Sequence, residues 1–326
     1  MYRARIISTG YYLPERVVTN KELEKLVDTT DEWITTRTGI KERHIAAAGE
    51  SSSDMGIRAA RWALEKAHMK PEEIDALICA TATPDHSFPA TSCLIQKALK
   101  FTNAFAFDVS AACSGFLYAL TVAETMLLAD KAKTVLVVAT EKLSSVTDWT
   151  DRSTCVLFGD GAGAAILKKE NGERGILSTY LKSDGTLSDL LMVPAGGSRK
   201  PASEETIKNR EHYLRMDGNE VFRMAVHKMI EAVEEAIKRA GIKTEDVKFF
   251  VPHQANLRII DAIAKRLKIK PEQMFVNLYK TGNTSAASIA IAISEAEEQG
   301  LIKSGDIIVL VSFGAGFTWG GIALRW

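Results

Sequence analysis

A chain of 326 residues is long enough for one large core or two domains of ordinary size. With 46% hydrophobic and 25% charged residues it has the balance of a globular protein, not of a disordered or fibrous one. Lys+Arg and Asp+Glu both number 41, so the formal net charge is zero, which argues against a nucleic-acid or membrane-surface protein held by bulk charge. The cysteines Cys79, Cys93, Cys113 and Cys155 form no C-x-x-C pair and have no histidine at metal spacing, so no metal site is expected. The N-terminus lacks the apolar run of a signal peptide. Free thiols in a reducing cytoplasm are the expectation.

In chain order, Arg5–Gly10 reads as a strand and Asn20–Leu26 as a short helix capped by Thr19 or Asn20. Residues 31–45, D-E-W-I-T-T-R-T-G-I-K-E-R-H-I, are too polar for a strand and end their periodic part at Gly39. Ser53–Ala67 is an amphipathic helix behind a Ser/Asp cap. Ile74–Thr81 and Thr134–Ala139 are short apolar runs of the kind buried parallel strands show.

The second half repeats this plan. Lys70–Ile74 before one apolar run matches Lys243–Val247 before another, and Thr134 in T-V-L-V-V matches Ile307 in I-I-V-L-V at the same offset (307 − 134 = 173). The helix Asp54–His68 answers Phe222–Ala240, Arg5–Thr9 answers Gly175–Thr179, and Ala164–Leu167 answers Gly321–Leu324. This pattern predicts a duplicated α/β chain with halves 1–171 and 172–326 and mixed or parallel sheets.

Phe107–Leu128 carries the candidate chemistry. From Cys113 onward it is apolar on nearly every face, which predicts a helix in the middle of a large core. At about 16 residues that helix is too short to span a membrane. Cys113 falls at its first turn, where free N–H groups and the helix dipole favour a thiolate; equally, Cys113 reads as one more small buried hydrophobe. Adding 173 to 113 gives Ala286, at the start of a second all-apolar helix, with Asn283 just before it and His253 after the strand Val247–Val251. If the halves pair about a pseudo-twofold axis, Cys113, His253 and Asn283 converge on one cleft. Cys, His and Asn together serve either a papain-like protease or thioester carbon–carbon condensation, in which His and Asn donate to an enolate oxygen. A-A-C-S-G-F is not the protease signature, and a duplicated core does not suit that fold.

V-P-H-Q-A-N (251–256), T-G-N-T-S-A-A-S (281–288), D-E-W-I-T-T-R-T-G-I (31–40), G-D-G-A-G-A (159–164) and S-F-G-A-G-F-T-W-G (312–320) resemble β-ketoacyl-acyl carrier protein synthase III over essentially the whole chain. The resemblance implies an α/β thiolase-like duplicated fold, with two mixed sheets and two buried central helices in five αβαβα layers. It implies that Cys113 takes an acyl group from a short acyl-CoA, that His253 and Asn283 stabilise the enolate formed by decarboxylation of malonyl-acyl carrier protein, and that the N–H groups of Cys113 and Gly316 form the oxyanion hole. No cofactor is implied beyond CoA and carrier-protein phosphopantetheine thioesters as substrates.

Further roles follow from the same resemblance. Trp33, Arg37 and Arg152 would hold the CoA adenine, and Asn219 and Asn256 its pantetheine arm. Arg223, Arg258 and Lys265 would dock the acidic carrier protein, with Arg258 and Lys265 on one helical face. Phe88 would floor the acyl pocket of a partner subunit in a cytoplasmic homodimer, with neither nucleic acid nor membrane as partner. The G-D-G-A-G-A run mimics a nucleotide loop but precedes a strand, so it reads as structural. Residues 183–213 read as a flap over the tunnel. Other readings are a related condensing enzyme of secondary metabolism, a thiolase-fold scaffold and a cysteine hydrolase; primer length is not legible in the sequence.

Overall fold

The computed structural model describes residues 1–326. Its strands are β1 (Tyr2–Tyr12), β2 (Arg16–Thr19), β3 (Glu42–Ile45), β4 (Ala76–Ala80), β5 (Phe105–Val109), β6 (Thr134–Lys142), β7 (Asp160–Asn171), β8 (Gly175–Ser183), β9 (Leu191–Met192), β10 (Arg215–Met216), β11 (Val247–Pro252), β12 (Ile307–Gly314) and β13 (Thr318–Arg325). Its helices are α1 (Asn20–Leu23), α2 (Asp31–Thr38), α3 (Ser52–Lys66), α4 (Thr91–Leu99), α5 (Gly115–Leu128), α6 (Arg152–Cys155), α7 (Glu204–Lys208), α8 (Gly218–Ala240), α9 (Leu257–Leu267), α10 (Leu278–Thr281) and α11 (Ala287–Glu298).

Two mixed sheets carry the molecule, in the orders β1-β7-β6-β4-β5 and β8-β13-β12-β11. Corresponding pairs run the same way: β1/β7 and β8/β13 are antiparallel, β7/β6 and β13/β12 antiparallel, β6/β4 and β12/β11 parallel. The turn before each first parallel strand is built alike, with Lys70 N–H donating to the Glu73 carboxylate (2.7 Å) and Lys243 N–H to that of Asp246 (2.8 Å). The first sheet alone has a further edge strand, β5.

The central layer between the sheets is α5 and α11, and it is mostly apolar on every side as their sequences require. Every residue from Ala287 to Ala296 is buried, and Phe116, Leu117, Leu120 and Leu127 of α5 join the same core with residues of both sheets. The outer faces are covered by α3 against the first sheet and by α8 and α9 against the second, giving five layers. The two central helices start close together: a Cβ on Gly115 would lie 3.3 Å from that of Ala286.

The polar stretch 31–45 divides in two. Thr30 caps α2 by accepting from Trp33 N–H (3.1 Å), and Gly39 ends it at a φ of +79°, a conformation that favours glycine. Glu42–Ile45 then pairs with β2, so the expectation of no strand fails there. The reason is Arg43, which is fully buried: its guanidinium donates to the Val18 and Val156 carbonyls and to Asn20 Oδ1. Asp160–Ala164 opens β7, and no helix follows it. No helix is long and apolar enough to cross a membrane.

Candidate active site

The nucleophile turn is held from both halves. Between β5 and α5 the chain turns through Ala112, at a φ of +44°, a region that non-glycine residues rarely adopt and that clusters at functional sites. The Cys113 carbonyl accepts from the Ser312 hydroxyl (2.8 Å), and the Thr318 hydroxyl donates to the Ala111 carbonyl (2.9 Å). These bonds tie the first half's cysteine to β12 and β13 of the second half. Gly314 permits the approach, since a Cβ there would fall 2.6 Å from Cys113 N.

Cys113, His253 and Asn283 line one cavity of about 360 Å³ with mostly hydrophobic walls. The wall includes Ala82, Leu143, Leu157, Phe158, Met192 and Phe222. His253 is buried; its N–H donates to the Val311 carbonyl (2.8 Å), and Nδ1 lies 2.7 Å from the Ser288 hydroxyl. That hydroxyl also accepts from Gln254 N–H (3.4 Å) and can give its own proton to Nδ1, the arrangement in which the ring proton sits on Nε2. Burial lowers the His253 pKa to about 4, so the ring is neutral at physiological pH.

Asn283 is held as firmly. Its N–H donates to the Leu157 carbonyl (2.8 Å), its own carbonyl accepts from Gly159 N–H (3.0 Å), and Oδ1 accepts from Ser285 N–H (2.8 Å). The occupied Oδ1 leaves the Nδ2 donor free. Two hydrogen-bond donors and a sulfur thus meet in an apolar hollow, where developing negative charge is stabilised most strongly. The H-Q-A-N segment divides its labour: Gln254 bridges Pro252, Phe275, Asn277 and Leu278, and Asn256 caps α9 by accepting from Arg258 N–H.

Several expectations change. Burial pushes the Cys113 thiol up to about 11, with the Ser285 hydroxyl pulling the other way. The resting sulfur is therefore a thiol; loss of solvation outweighs the helix start. Gly316 is not part of the cavity wall, whereas Gly314 and Ala315 are. The close approach to Cys113 that requires glycine is at Gly314. Asn219 is exposed and outside the wall, while Asn256 lines it. Phe88 is 85% exposed and does not line this chain's own cavity.

The other expected residues stand around the cavity. Trp33 lies under two guanidiniums, Arg152 at 4.8 Å and Arg37 at 5.8 Å from its ring centre, so a base enters this stack only by displacing an arginine. Arg152 also donates to the Asp28 carbonyl (2.7 Å). Arg223, Arg258 and Lys265 are exposed on α8 and α9; Arg223 is paired with Glu220 (2.6 Å), and Arg258 sits over Phe222 of the cavity wall. Leu191–Val193, inside the stretch 183–213 read as a flap, and Leu214 and Met216 just beyond it complete one wall, in and around the β9/β10 ribbon.

Comparison with known proteins agrees. Residues 107–185 match 3-oxoacyl-[acyl-carrier-protein] synthase III, and residues 237–326 its C-terminal domain. The chain is 52% identical to the β-ketoacyl-[acyl-carrier-protein] synthase III of Caldanaerobacter subterraneus subsp. tengcongensis, covering 99% of this chain and 98% of that protein. It belongs to the β-ketoacyl-[acyl-carrier-protein] synthase III family. The synthase III of Natranaerobius thermophilus is 50% identical over the whole of both chains. The crystal structure of the synthase III from Aquifex aeolicus superposes with a TM-score of 0.92 at 50% identity, covering 99% of this chain and all of that one. The chain is thus a condensing acyltransferase with the thiolase fold, and these relatives do not favour the secondary-metabolism reading.

Serines 285, 288 and 312, Glu141 and the cavity's apolar wall went unassigned in the sequence. Ser285 and Ser288 lie inside T-G-N-T-S-A-A-S, where their alternation with buried alanines was the available signal.

Proposed function

We propose that this protein joins a short acyl-CoA primer to malonyl-acyl carrier protein, starting fatty acid synthesis, with Cys113, His253 and Asn283 as catalytic residues. Cys113 Sγ attacks the thioester carbon, the C–S bond to CoA breaks, and CoA leaves as the thiol. The Cys113 proton departs as the bond forms and ends on the leaving CoA sulfur. Malonyl-acyl carrier protein then loses carbon dioxide, and its enolate oxygen receives hydrogen bonds from His253 Nε2 and Asn283 Nδ2. The enolate carbon attacks the acyl-Cys113 carbonyl, the C–S bond breaks, and a β-ketoacyl-carrier protein leaves. The N–H groups of Cys113 and Ala315, both residues of the cavity wall, would receive the oxyanions.

The observation that carries this reading is the meeting of one thiol and two neutral donors, supplied by opposite halves of the chain, in a mostly apolar cavity. Purified protein given acetyl-CoA and malonyl-acyl carrier protein is expected to release CoA and carbon dioxide in equal amounts and to leave acetoacetyl-carrier protein. Thioester hydrolysis without a new carbon–carbon bond would refute it.

The working unit in this reading is a homodimer. The open edge of β5, exposed Phe105 (45%) and exposed Phe88 (85%) support it, because a flat strand edge flanked by aromatic rings invites pairing. Phe88 would then reach the partner's acyl pocket. Light scattering on the eluting protein is expected to give twice the chain mass; a monomer at assay concentration would exclude this assembly. Trp33, Arg37, Arg152 and Asn256 would hold CoA, and Arg223, Arg258 and Lys265 the carrier protein.

A further inference from the structure

One buried ionisable group has no place in the chemistry above. Glu141, near the end of β6, is completely buried and has no cationic partner. Its carboxylate accepts from the Thr83 hydroxyl (2.7 Å), from Ala82 N–H (3.1 Å), from the Thr81 hydroxyl (3.4 Å) and from the Ser285 hydroxyl (3.1 Å). A carboxylate so far from water is costly, and one held by four neutral donors calls for a reason.

Ser285 supplies it. This residue is buried and stands at a φ of +48°, a backbone region L side chains rarely adopt, in the turn before α11. Its hydroxyl is anchored on Glu141, and its N–H holds Asn283 Oδ1 (2.8 Å). The strained turn thus fixes which face of the Asn283 carboxamide meets the cavity. Thr83, on the far side of Glu141, lines the same cavity. The link crosses the molecule, from a strand of the first sheet to the turn that begins the second half's central helix.

We propose that Glu141 is a positioning residue: acting through Ser285, it holds Asn283 with Nδ2 toward the enolate, and so serves the decarboxylation step and not the acylation step. This rests on the function proposed above. No bond to Glu141 changes during the reaction; its carboxylate is an anchor. Burial supports the picture, raising its pKa to about 7 and making it easily neutralised, while two oxygens with fixed donors keep their geometry.

The test compares the half-reactions in Glu141→Ala, Glu141→Gln and Ser285→Ala. Acylation is followed by intact mass with acetyl-CoA, and decarboxylation by carbon dioxide release from malonyl-acyl carrier protein. In Glu141→Ala, decarboxylation is expected to fall on the order of 10²-fold, the cost of a misplaced catalytic group, with acylation within about threefold of wild type; in Ser285→Ala, whose hydroxyl also meets the Cys113 sulfur, both fall, decarboxylation at least about tenfold more than acylation. Glu141→Gln, which keeps an oxygen acceptor for Ser285, is expected to recover most of the loss. Ser285→Ala removes one oxygen and carries the test if Glu141→Ala does not fold. Equal loss of both half-reactions, or no loss in either, would overturn the inference. Wild-type protein that neither acylates nor decarboxylates would instead overturn the proposed function.

Discussion

The two halves of this chain share the order of four sheet strands and differ at the start of the central helix. In the N-terminal half, Cys113 and the turn through Ala112 precede α5. In the C-terminal half, Asn283 and Ser285 precede α11, and the position matching the sulfur is Ala286, packed against Gly115. The strands leading in differ likewise: β4 runs into Thr81–Thr83, which hold a carboxylate, and β11 into His253, a neutral donor. Duplication therefore produced a symmetric hollow with unlike chemistry on its sides. In our account the first half supplies the nucleophile and the nucleotide contacts for acyl-CoA, and the second supplies the donors and the basic surface for the carrier-protein substrate.

That division is broken most severely at the sulfur. Cys113→Ala is expected to reduce acylation to background in an intact-mass assay while leaving malonyl decarboxylation measurable, since both donors remain. Asn283→Ala is expected to do the reverse, lowering decarboxylation about 10²- to 10³-fold, the usual cost of one oxyanion donor, with acylation nearly unchanged. His253→Ala is expected to lower decarboxylation by a similar factor, because it removes the other donor, and to spare acylation more.

Gly314→Ala sharpens the comparison where the halves touch. The added Cβ would lie 2.6 Å from Cys113 N, so the nucleophile must shift, and acylation is expected to fall about 10²-fold. Iodoacetamide alkylation of Cys113 adds a pH test. A thiol raised to about 11 holds little thiolate at neutral pH, so the alkylation rate should keep rising through pH 9 without a plateau; a plateau near pH 7 would mean an already ionised sulfur. Smaller effects belong to the rims. Trp33→Ala is expected to raise KM for acetyl-CoA about 5- to 30-fold. Arg258→Glu should raise KM for malonyl-acyl carrier protein about 2- to 5-fold in a salt-dependent way and leave acetyl-CoA unaffected.

The duplication was legible because buried strands write short apolar runs, and their spacing of 173 survives in both halves. The proposed catalytic residues Cys113, His253 and Asn283 were legible because each sits at an element start or end, where polar residues stand out against apolar neighbours. Arg43 hid β3, since a buried arginine satisfied by carbonyls looks like a surface residue in sequence. Glu141 hid for the same reason. Within the S-F-G-A-G-F run only coordinates distinguish Gly314, which must lack a Cβ to sit against Cys113, from Gly316, which stands at a φ of +132°. The sequence left the ionisation state of Cys113 open, because it shows both a helix start and a buried setting and not which of them weighs more.

The central claim, that both halves act on one acyl group held at Cys113, is tested most directly by a chase. Protein mixed with acetyl-CoA and freed of excess should carry one acetyl group on the Cys113 peptide, and added malonyl-acyl carrier protein should remove it as acetoacetyl-carrier protein. Absence of that label, a label that persists in Cys113→Ala, or a label that malonyl-acyl carrier protein does not discharge would contradict the account.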